Sequence, residues 1–122
     1  MLLFYVFYIV FLGVVFLSAF VMVYVSTPNR VEAEEIARVL LDEQLVACVN
    51  IVDSVTSLFY WEGKKESIKE CLLIMKTRRD LFTVLEKHVK ALHSYDVPEI
   101  IAVPIVLGSE KYFDWMKSVL KS

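Results

Sequence analysis

An α+β fold is predicted for this 122-residue chain, with the order β-α-β-β-α-β and one further helix at the C-terminus. Three observations predict it. A continuous apolar, β-branched run, FVMVYVS at 20–26, leads into a capped amphipathic helix. Two long β-rich stretches meet at Glu62-Gly63-Lys64. A second amphipathic helix then runs through a proline-marked stop into EIIAVPIV at 99–106.

The first run lacks alternation and suits a strand buried on both faces. Thr27-Pro28-Asn29 breaks it, and Asn29 with Glu32 three residues on forms a variant of the capping box. Glu34 and Glu35 add negative charge near the positive end of that helix dipole. The helix extends to about Gln44, with Ala33, Ile36, Ala37, Leu40 and Leu41 as its buried stripe. The next strand covers 46–61, Gly63 gives the turn its backbone freedom, and the return strand covers 68–77. Both strands exceed the usual length of about six residues. Arms of that length in so small a domain point to pairing with another subunit.

The second helix spans 79–92, with Leu81, Leu85, His88 or Val89, and Leu92 at helical spacing. The segment 94–98 (SYDVP) ends it. In the strand at 99–106, Pro104 has no N–H for the ladder and belongs at an edge or bulge. The last helix places Tyr112, Trp115, Met116 and Val119 on one face, with Trp115 closing the core beneath it. This is the split βαβ, or ferredoxin-like, arrangement: two helices over one face of a four-stranded antiparallel sheet.

Bulk properties bound the function less sharply. All 28 charged residues lie from Arg30 onward, so residues 1–19 form an apolar leader and 20–122 the folded domain. A spanning helix needs about 20 apolar residues, and the leader reaches that length only by borrowing from the first strand. It has no basic residue of the kind that opens a secretory signal. A processed or anchoring leader and a misassigned start are equally open. A net charge of −2 argues against a protein that neutralises nucleic-acid phosphates. The two cysteines, Cys48 and Cys71, sit in apolar runs, form no CxxC pair and read as buried thiols. They favour a reducing compartment, so the folded domain is expected in the cytoplasm, with membrane or secretory targeting through the leader left open.

No phosphate loop, zinc-protease motif or nucleophile elbow is present. His88 and His93 stand five apart, wrongly spaced for two ligands on one helix face. His88 reads as a solvated or half-buried helix residue. His93 has two readings: a ligand-orienting or metal-binding imidazole beside Tyr95 and Glu99, or a C-terminal helix cap. Lys76 either marks the solvent end of a strand or points into a cleft. Tyr60-Trp61 offers an aromatic platform or packs across strands.

Taken together, STPN (26–29), LVACVNI (45–51), TSLFYWEGK (56–64), IMKTR (74–78), LHSYDVPEI (92–100) and YFDWM (112–116) resemble the CutA family of divalent-cation tolerance proteins. The resemblance covers about residues 20–120. It implies a homotrimer built as in PII signalling proteins, with hairpin arms extending intersubunit sheets, and it brings no established catalysis. It implies a ligand-binding cleft between subunits lined by Cys48, Trp61, Lys76, His93, Tyr95 and Glu99, with a divalent metal ion such as copper as the cofactor and His93 as its ligand. Some bacterial members are credited with copper binding through one cysteine and two adjacent histidines. Those positions read Val25, Leu92 and His93 here, so one of three donors is kept. The function implied is a binding or regulatory role in metal-ion homeostasis. Two other readings stand beside it: a membrane-associated scaffold held by the leader, and an enzyme using His93 and Glu99 as an acid/base pair with Lys76 stabilising an anion.

Overall fold

The structure, a computed structural model, describes residues 19–122. Apart from Ala19, the leader assigned to 1–19 lies outside the described residues. The elements are β1 (Phe20–Thr27), α1 (Arg30–Asp42), β2 (Cys48–Trp61), β3 (Lys64–Arg78), α2 (Phe82–Leu92, entered through a 3₁₀ turn, Arg79–Leu81), β4 (Ile100–Pro104) and α3 (Glu110–Val119). They build one antiparallel sheet in the order β2-β3-β1-β4. This is the ferredoxin-like order predicted. Among the described residues no helix is long and apolar enough to cross a membrane.

Strand periodicity decides what is buried. Side chains alternate between faces, so Val21, Val23, Val25 and Thr27 of β1 lie beside Leu73, Met75 and Thr77 of β3, all buried. Ala33, Ile36 and Leu40 of α1 and Leu85 and Val89 of α2 complete that core. Its two hydroxyls are satisfied locally: Thr77 donates to the Leu45 carbonyl at 2.6 Å and Thr27 to that of Asn29 at 2.9 Å. The opposite face of β1 carries Met22, Tyr24 and Ser26, only partly buried. The expectation of a strand buried on both faces is therefore met on one face within a single chain.

Local chemistry explains the boundaries. Asn29 Oδ1 accepts from the Glu32 N–H at 2.9 Å, as an N-cap should. α1 ends in a Schellman closure, with Gln44 N–H donating to Leu41 and Leu45 N–H to the Leu40 carbonyl. Gln44 takes the left-handed position (φ 57°) that glycine usually fills. The β2–β3 turn has two residues, Glu62 and Gly63, both at positive φ, the geometry of a type I′ hairpin. A register irregularity lies between Val52 and Val55, where Ser54 also has positive φ.

Some packing assignments change. Leu41 is 43% exposed, because the stripe of α1 closes at Leu40 and position 41 falls at its margin. Trp115 is also 43% exposed and does not close the core. The buried face of α3 instead follows Phe113, Met116 and Leu120, with Phe113 stacked on Phe20 at 4.8 Å. The close approach leaves no space beside Gly108, where an added Cβ would collide with the Phe113 ring. Cys71 is buried but Cys48 is only partly so, and both are free thiols. Among the described residues β4 pairs only with β1, so Pro104 sits on an edge strand, as its missing N–H requires.

Candidate functional site

The chain between α2 and β4 forms one wall of the site, and its first residue organises the rest. His93 ends α2, its N–H donating to the Val89 carbonyl while its backbone turns extended. Its side chain is 0% exposed. Nε2 lies 2.7 Å from the Ser26 carbonyl of β1, and Nδ1 lies 3.1 Å from the Tyr95 N–H. A carbonyl only accepts and an N–H only donates, so Nε2 carries the ring proton and Nδ1 accepts. Glu32 Oε2 stands 3.3 Å from the same Nδ1 and also accepts from Ser94 N–H and Oγ at 3.0 and 3.1 Å. The imidazole thus pins the loop to β1, and Glu32 pins it to α1. His93 does not cap its own helix through the ring.

The loop presents Tyr95 and Glu99 toward the hairpin. Tyr95 donates its hydroxyl proton to Glu70 Oε2 at 2.9 Å, and its ring lies 4.8 Å from that of His93. Burial, then the Glu70 hydrogen bond and charge, push the Tyr95 phenol up to about 12. Burial first, then the Glu70 charge, raise Glu99 above the ordinary carboxylate range. Between this loop and the hairpin lies a groove of about 800 Å³. Phe59 and Trp61 of β2, Glu70 of β3, and Tyr95, Val97 and Glu99 of the loop are among its walls. The volume is in the range of small-molecule sites.

Of the six residues expected to share a cleft, Trp61, Tyr95 and Glu99 line the groove and His93 lies buried behind it. Cys48 and Lys76 do not join them within one chain. They face each other across β2 and β3, with Asn50 Oδ1 3.9 Å from Cys48 Sγ and 3.3 Å from Lys76 Nζ. Lys76 also stands 5.6 Å above the Tyr112 ring. Lys76 pairs opposite Met22, and His93 bonds Ser26, four residues further along β1. At about 3.3 Å per residue, roughly 13 Å separates the two groups. His88 bonds the Val84 carbonyl of its own helix, at 2.9 Å.

A copper-like ion needs several free nitrogen or sulfur donors. Both nitrogens of His93 are engaged and its ring is buried, while Cys48 lies in the other group. Among the described residues no three His, Cys, Asp or Glu side chains gather to hold a metal ion. The metal role expected of His93 does not fit these contacts within one chain. Sequence reasoning missed Glu70 and assigned Glu32 wholly to the helix start. The sole signal for Glu70 was a carboxylate directly before the apolar run CLLIM, where full solvation is difficult.

Comparison with known proteins places this geometry. The family model described as CutA1 divalent ion tolerance protein matches residues 21–119. The chain is 50% identical over 98 residues to the chloroplastic protein CutA of Arabidopsis thaliana, covering 80% of this chain and 54% of the relative. It is 44% identical over 95 residues to the divalent-cation tolerance protein CutA of Thermus thermophilus, covering 78% of this chain and 92% of that protein. The crystal structure of CutA1 from Oryza sativa superposes with a TM-score of 0.83 at 45% identity, over 85% of this chain and 95% of that one. The chain spans about half the length of the plant relatives it matches. It belongs to the CutA1 divalent ion tolerance family.

Proposed function

We propose that this protein is a non-catalytic binding or regulatory component of divalent-cation tolerance, working as a homotrimer. The observation that carries the reading is the groove between hairpin and loop, with Trp61, Tyr95 and Glu99 in its walls and His93 setting the loop behind it. The outward face of the sheet supports assembly. Met22, Tyr24, Leu72, Ile74, Ile101 and Val103 share it by register, and Ile101 and Val103 are exposed in the single chain. An apolar face of that kind calls for a partner surface. Assembly is also the route by which Cys48 and Lys76 of one copy would approach the groove of another. Any divalent ion, copper included, would then take its donors from more than one chain.

The division into a leader at 1–19 and a domain at 20–122 belongs to this reading. A cytoplasmic placement of the domain rests on its two free thiols. The scaffold and enzyme alternatives gain no support from the relatives. Native mass spectrometry tests the assembly, with a species near three times the 14.1 kDa chain as the expected result. Calorimetric titration with copper and zinc tests the metal role. Cys48→Ser should weaken binding if donors are shared between copies; equal affinity in both forms would end that role for Cys48.

A further inference from the structure

His93 sits where a single proton would change its partners. Its side chain is fully buried within the protomer, so its contacts are complete in one chain and no second copy can reach the ring. Nε2–H is committed to the Ser26 carbonyl of β1 at 2.7 Å. Nδ1 stands between two groups of opposite demand: the Tyr95 N–H at 3.1 Å, which needs an acceptor, and Glu32 Oε2 at 3.3 Å, which needs a donor. A neutral imidazole serves the first. An imidazolium, with both nitrogens as donors, serves only the second. Glu32 faces the ring from α1, and Glu70 of β3 is linked to it through the Tyr95 hydroxyl, with Glu99 further along the loop. β1 offers the uncharged Ser26 carbonyl, and Lys90, in the last turn of α2, pairs with Glu86 at 3.3 Å. The carboxylates oppose the cost of burying a charged ring.

We propose that His93 is a proton switch for the loop between α2 and β4: the neutral ring holds Tyr95 toward the hairpin, and the protonated ring donates to Glu32 and releases the Tyr95 N–H. Glu32 Oε2 already accepts from Ser94 N–H and Oγ, so the loop stays tied to α1 while its Tyr95 end comes free. The release passes to the Tyr95 hydroxyl, which loosens from Glu70 in the groove wall. Imidazole is the side chain that ordinarily changes charge between about pH 8 and 5, so the switch works in that window.

The test is a pH titration of the full-length, ¹⁵N-labelled protein by NMR, and it needs no ligand. The chain has two histidines, so His88→Gln leaves His93 as the one imidazole signal. At about pH 8 the ring should show the Nε2–H tautomer. Toward about pH 5, Nδ1 should gain a proton and the Tyr95 amide proton should move upfield with the same midpoint, while circular dichroism keeps its helical signal. Glu32→Gln keeps an oxygen for Ser94 but loses the charge. It should need about tenfold more acid or greater for the same transition, the scale of one opposite charge within about 4–6 Å. A ring that stays neutral down to about pH 5, a Tyr95 amide unmoved by ring protonation, or an unshifted midpoint in Glu32→Gln would overturn the proposal. So would an amide change that coincides with loss of the helical signal, which is acid unfolding. Should Glu32→Gln fail to fold, the titration of the unsubstituted Glu32 protein decides by the first two of these outcomes.

Discussion

The β2–β3 hairpin behaves differently on the two sides of its register irregularity between Val52 and Val55. In the base, Leu73, Met75 and Thr77 alternate inward beneath the helices and are fully buried. In the arm, Leu58 is 76% exposed, and Phe59, Tyr60 and Trp61 are exposed beside it. Both halves are regular antiparallel ladder, so hydrogen bonding does not separate them. What differs is the second layer: the base has helices to pack on, and the arm has none among the described residues. The junction is braced by Asp53, which accepts from Arg30 at 2.7 Å and from Cys71 at 3.3 Å. Strand length therefore reports pairing alone, and burial has to come from elsewhere.

The largest contrast should come from cutting the same amount of carbon on either side. Leu73→Ala, in the base, is expected to cost about 2–5 kcal/mol in urea unfolding, by loss of transfer energy and creation of a cavity. Leu58→Ala, in the arm, should cost about 0.5 kcal/mol or less within the protomer and show instead as reduced assembly in sedimentation. Equal losses of stability in dissociated protein would break the comparison.

His93→Ala addresses the loop that meets the hairpin at its junction. It leaves the Ser26 carbonyl and the Tyr95 N–H without their partner and should cost about 1–3 kcal/mol by denaturant melts. It should also loosen the Tyr95–Glu70 contact, seen as a lower tyrosinate pKa by absorbance near 295 nm.

A smaller effect is expected at Ser54, whose positive φ marks the junction. Ser54→Gly should stabilise by a few tenths of a kcal/mol, up to about 1, by removing the left-handed penalty. A loss would show that the Ser54 side chain holds the irregularity in place.

The effect confined to the narrowest range of conditions is the pH dependence of the Tyr95–Glu70 link. The phenol ionises near 12 in the folded protein and near 10 when free. A group whose pKa is raised on folding contributes stability in full below the unfolded value and loses it as pH climbs through the folded one. Stability attributable to Tyr95 should therefore decline between about pH 10 and 12. Tyr95→Phe should flatten that part of the curve in alkaline melts, and an unchanged slope would assign it to other groups.

Legibility in the sequence followed the range of the interaction. Asn29 as a cap, Gly63 in the turn and Pro104 on an edge were readable because each answers to its own backbone within a few residues. The Schellman closure at Gln44 was not, since glycine is its usual marker and glutamine carries none. Spacing places Trp115 in the core as the helical neighbour of Met116, but the buried face extends from Met116 to the other side, toward Phe113, and a periodic pattern on so short a helix does not choose between the two. Glu70 became part of the site through Tyr95, 25 residues away in sequence.

The order of strands and helices, and with it the ferredoxin-like fold, came from the sequence alone, because hydrophobic period and turn chemistry are local properties of the chain. The resemblance to CutA carried by its motifs implied Trp61, Tyr95 and Glu99 among the residues of a cleft between subunits. Only the tertiary structure decided that His93 is a buried pin between β1 and the loop, that Glu32 and Glu70 hold that loop, and that Cys48 and Lys76 stand apart. Those outcomes depend on which strand lies beside which and on where each side chain finds its partner. Such pairings join residues tens of positions apart, beyond the reach of any local pattern.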